Sequence, residues 1–373
     1  MNSSKTTGLM DLVSPESSPT GQLDGALKSL AAYAPEYSGG LPNTGSVIAT
    51  LLTTLGGQPI LDTWLAEYRM RLDALPPPLD PVSRHNHPSA LGNMSRIGDW
   101  TNFFIREVHR TGWETTLADW LPRLMSGLAG AGGFSAMRTS YAASNLRRGV
   151  TEVREDEFAY SLAYWASTYL RLPGIPTSGS SGPYSPLIAL RRIKWQHKHR
   201  RTDFPSVGSG LLGLKGFPSF PGVINLVSLP DNPRTFISTL TDAFARVFLA
   251  QLQYPDTLLP VMGVVSTTSA LRFLLPQVSR QQSSLALRYA WQFAGAVYAV
   301  YGQANPVTEV PLITGNQDTI MRRALESGND HVIIYVASCL REYRLSAKPV
   351  YLAAASSALD TEHSPQPTIS VLQ

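Results

Sequence analysis

Seven histidines, one cysteine and a dense basic run are the residues whose type could support chemistry, and their spacing decides which chemistry is open to them. His85 and His87 lie beside Pro88, His197 and His199 sit in the basic run, and His109, His331 and His363 stand apart. A metal site needs three or four ligands, and neither pair has a carboxylate at a His-Glu-x-x-His spacing, so surface histidines are the commoner reading. The run from Arg191 to Arg201 (RRIKWQHKHRR) could hold phosphate or an acidic substrate, although such runs are usually solvated helix ends. Trp195 inside it has no second aromatic to form a stacking platform. There is no Gly-x-Ser-x-Gly elbow and no Walker loop. Gly127 to Gly133 (GLAGAGG) follows a helix-like stretch, whereas a dinucleotide loop has to follow a strand. Trp291, Gly295 and Tyr298 are spaced by four and three, so a small residue between two rings could admit a flat ligand; stripes of this period more often face a core. Gln292 beside them, if buried, needs hydrogen-bond partners, and a substrate could be one.

The elements that must position these residues read as helices. With 373 residues and 43% hydrophobic content the chain can bury a large core. Its glycines and prolines fall between apolar periodic stretches and act as punctuation. Helical periodicity runs over roughly 22–33, 44–56, 60–74, 99–111, 113–128, 133–148 and 154–171, then 234–252, 267–276, 280–302, 317–327, 331–344 and 348–359. Thr151, with Arg154 and Glu155 after it, starts one of these before Phe158, Leu162, Trp165 and Tyr169. Pro173 to Pro186 must be loop, and the region to about 233 is irregular, an Ω-like loop or a short strand pair. The expected architecture is all-α, a single large domain of about a dozen helices over 23–360, with an irregular insertion near 173–233 and disordered tails at 1–22 and 361–373.

A formal charge of +4 is a small excess for this length and implies no nucleic-acid partner. Cys339 has no second cysteine to pair with, and the first 30 residues lack the pattern of a secretion signal, so a cytoplasmic location is expected. No apolar stretch of membrane-spanning length is expected, because the best candidate, Leu285 to Tyr301, is interrupted by Arg288 and Gln292.

Tyr33 to Gly45 (YAPEYSGGLPNTG) resembles the opening signature of the questin oxidase-like family, a Glu-Tyr-Gly-Gly-Gly-Leu-x-Asn-His-Gly pattern. Further blocks follow in the family's order: Asp99-Trp100 with Phe103-Phe104, Trp113, Trp120 to Leu124, Arg138-Thr139, Glu157 to Pro173, Ala270 to Arg272 with Leu274 to Pro276, Trp291 to Tyr301, and Asp330-His331 through Tyr343 and Val350 to Ala355. Together they span about residues 30 to 357. The resemblance implies action on fungal polyketides, and in the oxidative members a non-haem iron bound by histidines and a modified lysine. At the positions where those ligands would stand, this chain carries Thr44, Phe134, Tyr141, Met262 and Ile334. Such side chains are poor donors to iron(II), which leaves His331 alone of the implied set. The expectation is therefore no metal and no cofactor.

A pocket altered in this way would keep acid and base groups. Phe134, Arg138 and Tyr141 share one helical face, offering an aromatic wall, a guanidinium to polarise a carbonyl, and a hydroxyl; Arg138 could equally pair with a buried acid and hold two helices. His331 is the expected base and Glu36 the second choice. Asp330 precedes His331, with the N-cap of helix 331–344 as its favoured role, and Asn43 similarly reads as a cap. Tyr37, Asn43, Thr44, Phe134, Met262, Trp291, Gln292 and Tyr298 are the expected substrate contacts. The function implied is metal-independent tailoring of a polyketide-derived small molecule by acid/base cyclisation to a lactone or α-pyrone. The alternatives are an oxidoreductase of Baeyer–Villiger or ring-cleaving type, and a non-catalytic polyketide-binding protein.

Overall fold

Apolar residues at three- and four-residue spacing dominate this chain, and the computed structural model resolves them into helices packed on one another. It describes residues 19–177, 182–196, 206–311, 313 and 316–361. Sixteen α-helices occur among these residues. The first half holds α1 (Pro19–Leu30), α2 (Gly45–Thr54), α3 (Gln58–Arg69), α4 (His87–Ala90), α5 (Ile97–Thr111), α6 (Trp113–Leu124), α7 (Phe134–Arg148) and α8 (Glu152–Ser167). The second holds α9 (Pro186–Leu190), α10 (Val207–Leu212), α11 (Pro233–Ala250), α12 (Leu258–Ala270), α13 (Arg280–Tyr301), α14 (Gln317–Ser327), α15 (Asp330–Ser346) and α16 (Pro349–Thr361). The all-α expectation holds, with more and shorter helices than a dozen.

The local signals explain most of the boundaries. Thr151 accepts a hydrogen bond from the Arg154 amide and starts α8, as its position suggested. Ser279 and Gln282 form a reciprocal capping box at the start of α13. Gly328, at φ +68°, ends α14, and Asn329 immediately starts α15. The aromatic face of α8 is real for Phe158, Leu162 and Trp165, all fully buried, whereas Tyr169 lies beyond the helix end.

Three expectations need correction. Residues 19–22, assigned to a disordered tail, belong to α1; the rest of the two expected tails, 1–18 and 362–373, lies outside the described residues. The described residues of the 173–233 region are more organised than a loop: they include α9, α10, 3-10 turns at Gly213–Gly216 and Pro221–Asn225, and a parallel bridge between Tyr184 and Val227. Finally, the helical stretch Pro255–Gln277 is long and apolar enough to cross a membrane, where Leu285 to Tyr301 had been the best candidate. Most of it is buried inside the protein, as befits a core helix.

The core is built around α5 and α8, α7 and α8, α11 and α12, and α12 and α15. Trp100, Trp120, Phe103 and Phe104 meet edge-on or stacked at 4.9 to 5.8 Å between α5 and α6. Only one sheet occurs among the described residues, the two-residue hairpin β1 (Glu36–Tyr37) and β2 (Leu41–Pro42), turned by Ser38, Gly39 and Gly40 at positive φ. This hairpin delivers two candidate residues to different places. Neighbouring residues on a strand point to opposite faces, so Glu36 and Tyr37 cannot serve the same space.

Candidate functional site

Asn329 decides the site, because its side chain accepts from the amides of both His331 and Val332 and so takes the cap of α15. Asp330 had been expected in that role; it is instead the first residue of the helix, and its carboxylate is released for other contacts. One oxygen, Oδ2, accepts from the Thr44 hydroxyl at 2.8 Å and lies 3.7 Å from the Arg71 guanidinium. The other, Oδ1, is buried without a hydrogen-bond partner. A carboxylate at a helix N-terminus is favoured by the helix dipole, so this anion is held where the fold tolerates it. Removing the cap by Asn329→Ala is expected to cost about 0.5–2 kcal/mol of stability, read in urea or thermal unfolding. An unchanged midpoint would show that Asn329 does not start the helix.

The Thr44 hydroxyl is itself positioned by Tyr68, whose oxygen lies 3.0 Å away, accepts from the Thr44 amide at 2.7 Å and reaches Asn43 Oδ1 at 3.1 Å. Asn43 caps the first turn of α2 through the Gly45 amide and ties back to the Ala34 carbonyl. The Tyr68 ring is stacked on Trp64 at 4.6 Å and covered by the Arg71 guanidinium at 4.5 Å. Burial pushes the Tyr68 phenol well above its usual range, so it remains a donor in this chain of hydroxyls. These contacts fix Asp330 and Arg71 without using the Oδ1 atom.

Tyr37, Arg71, Ser327, Gly328, Asn329, Asp330 and His331 line an open cleft of about 410 Å³. His331 is half-buried, and its ring makes no hydrogen bond to protein among the described residues. Burial lowers its pKa from 6.5, with the Asp330 charge opposing, so the ring is neutral at physiological pH. The Tyr37 phenol is raised above 10, chiefly by burial, against the Arg71 charge and with Asp330 adding to the rise. A neutral imidazole, a protonated phenol and a guanidinium thus face one cavity.

Other expected site residues lie elsewhere. Glu36 points away from the cleft, accepting from Tyr164 Oη at 3.0 Å, and burial raises its pKa from 4.5. Arg138 is not a carbonyl stabiliser in this cleft: it forms two 2.8 Å bonds to Glu157, joining α7 to α8 in the core. The adjacent void, about 10 Å³, cannot accept an organic substrate. Tyr141 accepts from Arg341 at 2.7 Å, so the shared face with Arg138 does not become a shared site. Phe134 and Met262 are buried core residues, as is Ile334. Trp291 donates to the Val223 carbonyl, Gln292 to the Pro173 carbonyl and Tyr298 to the Ala304 carbonyl; all three clamp chain segments. A Cβ on Gly295 would clash with Val223 at 2.6 Å, so the gap between the rings is filled.

The histidine pairs resolve similarly. His85 is exposed, His87 is half-buried with its ring edge-on to that of Trp120, and His109 pairs with Asp156. His197, His199 and His363 lie outside the described residues. Among the described residues no three or more His, Cys, Asp or Glu side chains converge on one point. Protein purified without an affinity tag and offered iron(II) anaerobically is expected to retain far less than one iron per chain by elemental analysis. Stoichiometric iron would restore a metal centre.

Arg71, Tyr68, Asn329, Ser327 and Gly328 were not singled out by sequence. The Gly-Asn-Asp-His order did contain the signal for Asn329, since Asn and Asp cap helices about equally well and a one-residue shift in helix start exchanges their roles. Arg71, lying just past the end of α3, carried no such signal. No protein-family model matches the chain and no curated protein matches it, so the chemistry of this cleft has to be argued from its own residues.

Proposed function

We propose that the Tyr37–Arg71–Asp330–His331 cleft catalyses metal-independent acid/base cyclisation of a polyketide-type chain, closing a lactone or α-pyrone. The observation that carries this reading is the His331 imidazole, kept neutral by burial, without a protein hydrogen bond to its ring, and facing the same cavity as a phenol and a guanidinium. In this scheme His331 takes the proton from an enolic or alcoholic hydroxyl of the substrate. The oxygen attacks a carbonyl further along the same chain, and Arg71 with Tyr37 stabilises the oxyanion that forms. The carbonyl then re-forms, the bond to the leaving group breaks, and the His331 imidazolium returns the proton to that group. Asp330 stabilises the imidazolium in between.

Leu41 supports a substrate with an apolar body. It sits directly opposite Tyr37 in the hairpin, so both side chains occupy one face, and it is 48% exposed, a large apolar side chain left open beside a residue that lines the cleft. The polar head of a poly-β-keto chain would lie at His331 and its hydrocarbon part against Leu41. The test is turnover of a linear poly-β-keto acid or thioester under nitrogen, with product identified by mass and ultraviolet spectrum. A cyclised product without oxygen uptake is expected. A strict requirement for oxygen would favour the oxidoreductase alternative, and tight binding with no turnover would favour a carrier.

A further inference from the structure

Arginines that leave water normally find a carboxylate, and two of the neighbours in the region around α7 and α15 do so. Arg272 is bidentate on Glu342, and Arg154 binds Asp24. Arg341, between them, has only neutral partners: the Tyr141 oxygen at 2.7 Å and the Ser269 oxygen at 3.1 Å. Its guanidinium is half-buried and held over two rings, 4.7 Å from the centre of Phe273 and 5.5 Å from that of Tyr141. Glu342 makes no direct contact with it: both of its oxygens bind Arg272, and the Ser269 hydroxyl stands between Glu342 and Arg341.

Arg148 lies two turns along α7 from Tyr141, on the same face, and is exposed. Burial of part of its side chain and the nearby charges of Arg154 and Arg341 lower its pKa. Among the described residues it has no carboxylate partner. The carbonyls that end α7 give little relief, since those of Asn145 and Gly149 are already taken by Arg154. Among the described residues, two guanidiniums therefore share one region with no carboxylate bound directly to either, one of them oriented rigidly by rings and hydroxyls. Pre-orientation of this kind is what recognition of an oxyanion requires.

We propose that Arg341 and Arg148, with the Tyr141 hydroxyl, form an oxyanion-binding site for a phosphate or carboxylate group. It is separate from the cleft. Arg341 is ten residues from His331 on α15, about 15 Å along the helix axis and on a different face.

Calorimetric titration with inorganic phosphate, and separately with succinate, at constant ionic strength in chloride, tests the site. One anion should bind at one equivalent per chain, and the tighter of the two assigns the ligand group as phosphate or carboxylate. Arg148→Gln and Arg341→Gln should each weaken that binding roughly tenfold or more, the usual cost of losing a hydrogen bond between charged groups. Arg148→Gln should also leave the anion-free protein at least as resistant to heat as the parent, because it removes a repulsion; a purely structural arginine would lower the midpoint when lost. Absence of binding by both anions, or binding that both variants leave unchanged, overturns the proposal.

Discussion

Turnover by a His331→Gln variant is expected to fall about 10²- to 10⁴-fold, the range that a positioned general base contributes. The fold should survive, because the ring makes no hydrogen bond to protein among the described residues and α15 is capped by Asn329. In the parent protein, the proposed cyclisation should show a kcat/KM that rises with pH as the imidazole loses its proton, with an apparent pKa below 6.5, since burial lowers it. That limb should vanish in His331→Gln. A variant retaining near-parental turnover, or an unchanged pH profile, would remove His331 from the mechanism and leave the cleft as a binding site.

Stability should carry the same signature. A histidine whose folded pKa lies below its unfolded value binds more protons when the chain is unfolded, so stability rises with pH through the interval between the lowered folded value and 6.5. Glu36 acts oppositely. Its carboxyl is raised above 4.5 by burial, so the native state holds the proton longer and stability falls as pH rises from 4.5 to that raised value. The difference between parent and His331→Gln across pH isolates the histidine contribution from that of Glu36. A difference that does not depend on pH below 6.5 would contradict the burial of the ring.

The second large effect concerns the core. Glu157→Gln is expected to destabilise the protein by about 3–5 kcal/mol, because it leaves the Arg138 charge buried without its partner. Glu157 offsets the penalty that burial imposes on the Arg138 charge. Replacing both, Arg138→Met with Glu157→Leu, should recover most of that loss in urea unfolding, since a buried pair often contributes little beyond an apolar pair of similar volume. A small effect of Glu157→Gln alone, or loss of turnover by the double variant in a fully stable protein, would mean that Arg138 does more than hold α7 against α8.

Much of the fold was legible because helix formation and burial follow patterns within a dozen residues. The period at 317–327 and 280–302 returned α14 and α13 nearly to the residue, since each is bounded by its own cap. The 173–233 region was not, because its segments are held by distant partners: the Trp291 indole grips the Val223 carbonyl, and Gln292 grips that of Pro173. No local pattern encodes such contacts. The same two residues had looked like ligand contacts for the reason that made them structural, a polar atom on a buried aromatic face.

By itself the sequence determined the helical class and offered His331 as a candidate base and Tyr37 as a candidate substrate contact, because types and short spacings are properties of the chain. Only the tertiary structure decided which of these meet. Glu36 and Tyr37 are adjacent in sequence yet face opposite sides of a hairpin, and Arg138 and Tyr141 share a helical face yet bind different partners. Arg71 and Asp330, 259 positions apart by their numbers, come within 3.7 Å. Pairing across such separations depends on how helices pack, and packing is set by the shape and burial of the whole core rather than by any local run of residues.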